Sequence, residues 1–278
     1  MVDPQVNPDQ SDHRRPSATR MVPLRGVHVR QATPPLPDNS VVTDLDFDAF
    51  DALTFDCYGT LIDWEAGITV GLRRILDRHA VDATDDQLLE AFAAAESRLE
   101  ARPYLPYRTI LAAAARAVGQ GLGIEVDDDE ASEFGGSVGD WPAFEDSTRS
   151  LKILRRRFKL GVLTNCDDDL FAASNRRLGV DFDWVVTAQQ VGSYKPNPHN
   201  FETLRERLHG SGIAAARILH VAQSLYHDHV PAKRLGFHTV WIDRRHDRPG
   251  SGATLPAVVQ PDATYPSMAA FAEAAARG

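Results

Sequence analysis

Leu53-Thr54-Phe55-Asp56-Cys57-Tyr58-Gly59-Thr60-Leu61 is a short apolar run that ends in a carboxylate and turns at once on a glycine. Consecutive apolar positions suit a strand buried on both faces, the interior position of a parallel sheet. Open parallel sheets bind ligands in the crevice beyond their strand ends, where Asp56 would lie. Gly59 lets the backbone leave the sheet sharply and lets a ligand approach. Thr60 can hydrogen-bond the carboxylate and hold its rotamer, which offers Asp56 as an oriented nucleophile. Taken alone, the same Asp serves equally well as a cap for the turn or the next helix.

The pattern recurs. Apolar strands are predicted over residues 160–163, 184–186, 218–221 and 239–242, alternating with helical spacings over 147–157, 167–178, 198–208, 228–235 and 268–275. Such alternation predicts an α/β fold, a Rossmann-like doubly wound parallel sheet. Far more chain separates the first two strands than one crossover needs. It carries helical patterns over 64–79, 84–100, 107–118 and 127–134, the second opened by a capping box of Thr84 and Gln87. Gly119-Gln120-Gly121-Leu122-Gly123 follows a helix rather than a strand, so it reads as a C-cap and connector, not a phosphate loop. The expected organisation is a Rossmann-like core over 45–66 and 145–278 with a helical cap domain inserted over 67–144. Residues 1–44, rich in proline and polar side chains, read as a disordered extension or a start-site artefact.

Hydrophobic residues at 43% and charged residues at 25% of 278 fit an ordinary globular protein. A formal charge of −9 disfavours nonspecific binding to nucleic acid or anionic membrane. No apolar run approaches the ~20 residues that span a bilayer. Cys57 and Cys166 are too few for a disulfide scaffold, which predicts a cytoplasmic protein with two thiols packed under the site.

The strand ends supply Asp56, Thr164 with Asn165, Lys195 on a following loop, and Asp228 just past a strand. A carboxylate nucleophile needs a group to orient it, a cation to balance it and a group to organise water, and this set contains each. Each residue alone has a plainer role: a loop lysine, a helix N-terminal acid, a turn. His227-Asp228-His229 cannot converge on one metal ion, because adjacent residues entering a helix point in different directions. No metal ligand set and no cofactor are therefore expected.

Phe55-Asp56-Cys57-Tyr58-Gly59-Thr60-Leu61 resembles the first motif of the haloacid dehalogenase superfamily, in the dehalogenase-like form that carries Tyr two residues after the nucleophile. Thr164 sits where the second-motif Ser or Thr would be, and Lys195 where the third-motif Lys would be. Val221-Ala222-Gln223-Ser224-Leu225-Tyr226-His227-Asp228 matches the fourth motif in position. The resemblance, to type II (S)-2-haloacid dehalogenases, covers about residues 50–245. It implies that Asp56 displaces halide from a small anionic 2-haloalkanoic acid, and that water then hydrolyses the aspartyl ester. It further implies that Lys195 and Asp228 set the ionisation of Asp56 and help activate water. Thr164 and Asn165 would hold the carboxylate oxygens or the substrate carboxylate, and Tyr58 would line the pocket. Thr60, Ser224, His227 and Arg108 complete the expected substrate side, and a homodimer is left open. Superfamily phosphatases need Asp where this chain has Tyr58 and Gln223, which disfavours Mg²⁺-dependent phosphotransfer. The cap arginine of characterised dehalogenases aligns with Ala, although Arg98, Arg102 and Arg108 lie nearby, and the fourth motif has Gln223 and Leu225 in place of Ser and Asn. The alternatives are a Mg²⁺-dependent phosphatase with a degenerate site, or a non-catalytic ligand-binding protein on the same scaffold.

Overall fold

Ala52–Phe55 (β1) is buried at every position. Only a strand with neighbours on both edges and helices on both faces can bury such a run, and β1 sits mid-sheet. In the computed structural model, which describes residues 20–21, 45–248 and 252–277, β1 pairs in parallel with Lys159–Thr164 (β2) and with Ile218–Ala222 (β4). Trp184–Thr187 (β3) adds beyond β2, while His238–Ile242 (β5) and Ala263–Tyr265 (β6) add beyond β4. The spatial order β3-β2-β1-β4-β5-β6, all parallel, is that of a doubly wound Rossmann-like sheet. Its topological switch point lies between β1 and β4, the position from which such sheets bind ligands.

Side-chain alternation divides the core between the two faces. Leu53, Leu160 and Val162 pack in one cluster with Leu151 and Leu154 of Ser147–Leu154 (α5) and with Phe271 of Met268–Arg277 (α9). Ala52, Leu163 and Val186 face the other way, against Phe201 and Leu204 of Pro198–Gly210 (α7) and Ala232 of Val230–Arg234 (α8). Each such fully buried Leu or Phe stabilises the fold by roughly 1.5–3 kcal/mol.

Between β1 and β2 the chain forms Trp64–Arg78 (α1), Asp85–Glu100 (α2), Tyr107–Leu122 (α3) and Asp128–Gly136 (α4). Asp63 caps α1, the Thr84/Gln87 capping box opens α2, and Asp127 with Glu130 forms a second box at α4. Phe92 joins the bundle, edge-on to Trp64 at 6.4 Å and to Phe134 at 6.1 Å. The first of these helices starts at Trp64, just inside the span assigned to the core. Asp167–Leu178 is not one helix from its first residue: Asp167 stands outside as the N-cap position of Asp168–Leu178 (α6).

Three features differ from the sequence expectation. The third cap helix continues past Gly119 to Leu122, because the bare Cα of Gly119 makes room for Val126, which an added Cβ would meet at 2.4 Å. The segment at 228–235 begins earlier, as a π-helical turn over Leu225–His229 leading into α8. The edge strand β6 is only three residues long, too short for an alternation pattern to declare it. The extension assigned to residues 1–44 lies outside the described residues, except that Arg20–Met21 pair in parallel with Val81–Asp82. Among the described residues no helix is long and apolar enough to cross a membrane.

Candidate active site

β1 delivers Asp56 to the switch point while its backbone N–H still donates to the Val221 carbonyl of β4 at 3.1 Å. The chain then turns back within a few residues, through bonds from Gly59 N–H to Ile62 O (2.8 Å) and from Leu61 N–H to Cys57 O (2.7 Å). Gly59 takes φ +92°, and a Cβ there would lie 2.9 Å from Trp64 Nε1, so neither the backbone nor the space admits a larger residue. Thr60 Oγ1 donates to Asp56 Oδ2 at 2.8 Å and accepts from Gln223 N–H at 2.9 Å. One hydroxyl therefore fixes the carboxylate to the loop after β4.

Lys195 reaches in from the loop after β3 and is 1% exposed. Its ammonium donates to Asp56 Oδ1 at 2.8 Å, to Asp228 Oδ1 at 2.7 Å and to the Leu163 carbonyl at 3.0 Å. All three N–H groups are thus committed. Asp228 Oδ1 also meets His220 Nε2 at 2.9 Å, and His220 Nδ1 lies 2.9 Å from Thr54 Oγ1. A continuous buried chain runs from Thr54 through His220, Asp228 and Lys195 to Asp56. Asp228 Oδ2 is buried with no hydrogen-bond partner.

Burial opposes the charge of each of these groups, and the partners decide the balance. For Asp228, Lys195 and His220 outweigh burial and hold the carboxyl well below its ordinary range. For Lys195, burial is outweighed by Asp228 and Asp56, so its pKa rises. Asp56 shares the one ammonium with Asp228, and burial leaves its pKa raised despite Lys195. Asp228 is the carboxylate that stays ionised most firmly, and Asp56 the one that titrates higher.

The cap covers the pocket from above. The cavity measures about 30 Å³, room for one or two waters. Trp64, Glu96, Glu100 and Tyr107 of the cap line it, facing Asp56, Tyr58, Asn165 and Lys195 of the core. Tyr107 Oη donates to Glu96 Oε1 at 2.7 Å, and burial pushes Glu96 up to about 8. Glu100 is raised well above the ordinary carboxylate range by burial and by Glu96. Burial lowers His227 to about 4, which leaves it neutral near pH 7. Glu96 has a consequence for stability. Its folded pKa of about 8 stands above the usual 4.5, so the folded chain holds a proton that the unfolded chain releases across that window. Stability from this group falls as pH rises from about 5 to about 8. Glu96→Gln is expected to raise Tm near pH 8 and to leave it little changed near pH 5. An equal shift at both pH values in thermal melts would contradict this.

The structure brings most of the expected residues together. Asp56, Lys195 and Asp228 meet at the switch point, with Tyr58, Asn165, Ser224 and His227 around the same cavity. Thr60 bonds Asp56 rather than facing the substrate space. Asn165 Oδ1 accepts from Lys195 N–H at 2.7 Å and its Nδ2 donates to the Lys195 carbonyl at 3.0 Å, so it clamps the lysine loop. The Tyr58 hydroxyl turns away to Ser174 Oγ at 3.0 Å and accepts from Cys166 Sγ at 3.3 Å, leaving the ring to the pocket. Ser224 caps the π-helical turn by accepting from His227 N–H at 3.0 Å.

Two expectations need correcting. Thr164 does not hold Asp56: its hydroxyl is buried without a partner, and Lys195 and Thr60 take the two carboxylate oxygens. Arg108 does not enter the pocket. Its neighbour Tyr107 points inward at 2% exposure, and one residue is about 100° of helix turn. Arg108 is therefore swung outward, where it pairs with Asp169 at 2.5 Å. Glu96, Glu100, Tyr107 and His220 went unforeseen. The signal for the glutamates was phase: Leu88, Leu89, Phe92, Glu96 and Glu100 continue one apolar stripe of α2.

Comparison with known proteins bears on this arrangement. A family model for haloacid dehalogenase-like hydrolases matches residues 50–228. The chain belongs to this hydrolase family. A mouse relative, haloacid dehalogenase-like hydrolase domain-containing protein 3, is 31% identical over 106 residues, 37% of this chain and 40% of the relative. The chain thus matches well under half the length of its curated relatives. An L-2-haloacid dehalogenase structure superposes with TM-score 0.68 at 19% identity, covering 82% of this chain and 100% of that one. A magnesium-bound haloacid dehalogenase-type hydrolase from Bacillus subtilis superposes with TM-score 0.65 at 17% identity, covering 78% and 95%. At these identities the structures establish the shared fold.

Proposed function

We propose that this hydrolase is a dehalogenase that needs no metal. It would act on small molecules with halogen on the carbon next to a carbonyl, the class to which 2-haloalkanoic acids belong. The observation that carries this reading is the setting of Asp56, which Lys195 and Thr60 orient into a small pocket beneath the cap, with Tyr58 and Gln223 at the two positions where phosphotransfer needs carboxylates. An Asp56 oxygen attacks the halogen-bearing carbon, the C–O bond forms as the C–halogen bond breaks, and halide leaves without a proton. Water then adds to the aspartyl carbonyl, the alcohol departs, and Asp56 is restored. Asp228 Oδ2, buried and unpartnered, is the acceptor suited to holding that water.

A magnesium ion would need hard oxygen ligands that are free to coordinate. Both Asp56 oxygens and Asp228 Oδ1 are bound to Lys195 or Thr60, which leaves Asp228 Oδ2 as the one free oxygen of the two aspartates, and Gln223 offers a neutral amide that accepts from Thr254 at 3.4 Å. Among the described residues no cluster of three or more His, Cys, Asp or Glu could hold a metal. The donor set does not fit the ion. Halide release is therefore expected to be unchanged, within about twofold, by EDTA or by added Mg²⁺. Hydrolysis of p-nitrophenyl phosphate that appears only with Mg²⁺, without halide release, would favour the phosphatase reading instead.

A further inference from the structure

The chain has four tryptophans. Three give their indole N–H to a protein acceptor: Trp141 to Ser137 Oγ at 3.1 Å, Trp184 to Ser211 Oγ at 3.0 Å and Trp241 to the Gln223 carbonyl at 2.9 Å. The fourth, Trp64, lines the same pocket as Asp56 and is 7% exposed. Its N–H meets no acceptor among the described residues. The ring itself is held in place. It stands edge-on to Phe92 at 6.4 Å, and its N–H edge lies over Gly59, where an added Cβ would meet Nε1 at 2.9 Å. Gln223 Oε1 stands 3.2 Å from that same Cβ position, yet it accepts from Thr254 and not from the indole. A buried indole N–H ordinarily finds a partner, so one left free in a pocket wall is available to a ligand. The stronger donors around it are committed. Lys195 gives its three N–H groups to Asp56, Asp228 and the Leu163 carbonyl, Asn165 gives its amide hydrogens to the Lys195 carbonyl and Glu100, and Tyr107 gives its hydroxyl to Glu96.

We propose that Trp64 is a catalytic residue of the displacement step, its indole N–H receiving the halide as an Asp56 oxygen takes its place on carbon. The inference rests on the dehalogenase reading and adds the group that accepts the leaving ion. The new C–O bond uses an electron pair of the carboxylate, and the C–halogen bond breaks with its pair on the halide, so no proton moves. Negative charge grows on the halogen as that bond lengthens, in a pocket with room for one or two waters. A fixed N–H facing that charge binds the transition state more tightly than the substrate, whose halogen is nearly neutral.

The test compares halide release from chloroacetate and bromoacetate by the full chain, native and Trp64→Phe, near pH 7. Losing the N–H is expected to lower kcat/KM for chloroacetate on the order of 10- to 100-fold, the worth of a hydrogen bond to a charged group. Bromoacetate should lose less, because bromide departs more readily and accepts hydrogen bonds more weakly. The bromide-to-chloride ratio of kcat/KM should therefore rise at least roughly threefold. A role in packing alone would lower both rates alike. Because the ring also packs on Phe92, a second variant replaces Trp64 with 3-benzothienylalanine, which keeps the shape and puts sulfur in place of N–H. It should show the same rise in ratio with a Tm close to that of the native chain. Equal losses for the two substrates, or native rates in the benzothienyl variant, overturn the inference, while halide release by the native chain keeps the dehalogenase reading. Absence of halide from both compounds with the native chain, and no adduct on Asp56, overturns both.

Discussion

Asp56→Asn is expected to abolish halide release, by roughly 10³-fold or more, while the fold survives intact. The substitution is isosteric. Its carbonyl oxygen can still accept from Lys195, which now donates to Asp56 Oδ1 at 2.8 Å, but an amide cannot displace halide from carbon. The effect on stability has a definite sign. The folded pKa of Asp56 is raised above its ordinary value, chiefly by burial, so the ionised side chain is less comfortable in the fold than in the unfolded chain. Removing that charge near pH 7 should leave Tm unchanged or higher. A variant that loses activity because it unfolds would contradict this account of Asp56, and a thermal melt beside the halide assay separates the two.

Lys195→Met should fail in both respects. It removes the ammonium shared by Asp56 and Asp228 and leaves these two carboxylates facing each other with no cation between them. Breaking a buried pair in this way costs about 3–5 kcal/mol, which lowers Tm by roughly 10 °C in a chain of this size. The pH dependence follows from the same geometry. In the native chain Asp228 is held below its usual pKa, so its contribution is present above the unfolded pKa and fades as pH falls through the folded one. Without Lys195 the two carboxyls are pushed upward. The variant should then be weakest near neutral pH and recover relative to the native chain as acid protonates them. A Tm deficit that stays constant from pH 4 to pH 8 would contradict the shared-ammonium arrangement.

Much of this site was legible because its chemistry sits where strands end. An apolar run that stops at Asp56 or Thr164 marks both the strand and the crevice beyond it. Lys195 and Asp228 could be placed by the same logic, one loop and one turn further on. What the pattern conceals is rotation about an axis. Arg108 fails by a single helical step, whereas its neighbour Tyr107 points inward. Thr164 ends the right strand, yet its hydroxyl does not reach the nucleophile that Thr60 already holds. Glu96 and Glu100 were passed over because acids on a helix are ordinarily solvated, although their phase with Phe92 placed them in the buried stripe. His220 is fully buried in the otherwise apolar β4. Its importance comes from Asp228, eight residues later in sequence and 2.9 Å away.

The most direct test is a single turnover in H₂¹⁸O with enzyme in excess over chloroacetamide or chloroacetate, followed by mass spectrometry of the peptide containing Asp56. If the aspartyl carboxylate bonds to carbon and its ester is cleaved at the carbonyl, the heavy oxygen enters Asp56 and the first product carries none. Heavy oxygen in the first product, with Asp56 unlabelled, would mean that water attacks the substrate itself and that the nucleophile has been assigned wrongly.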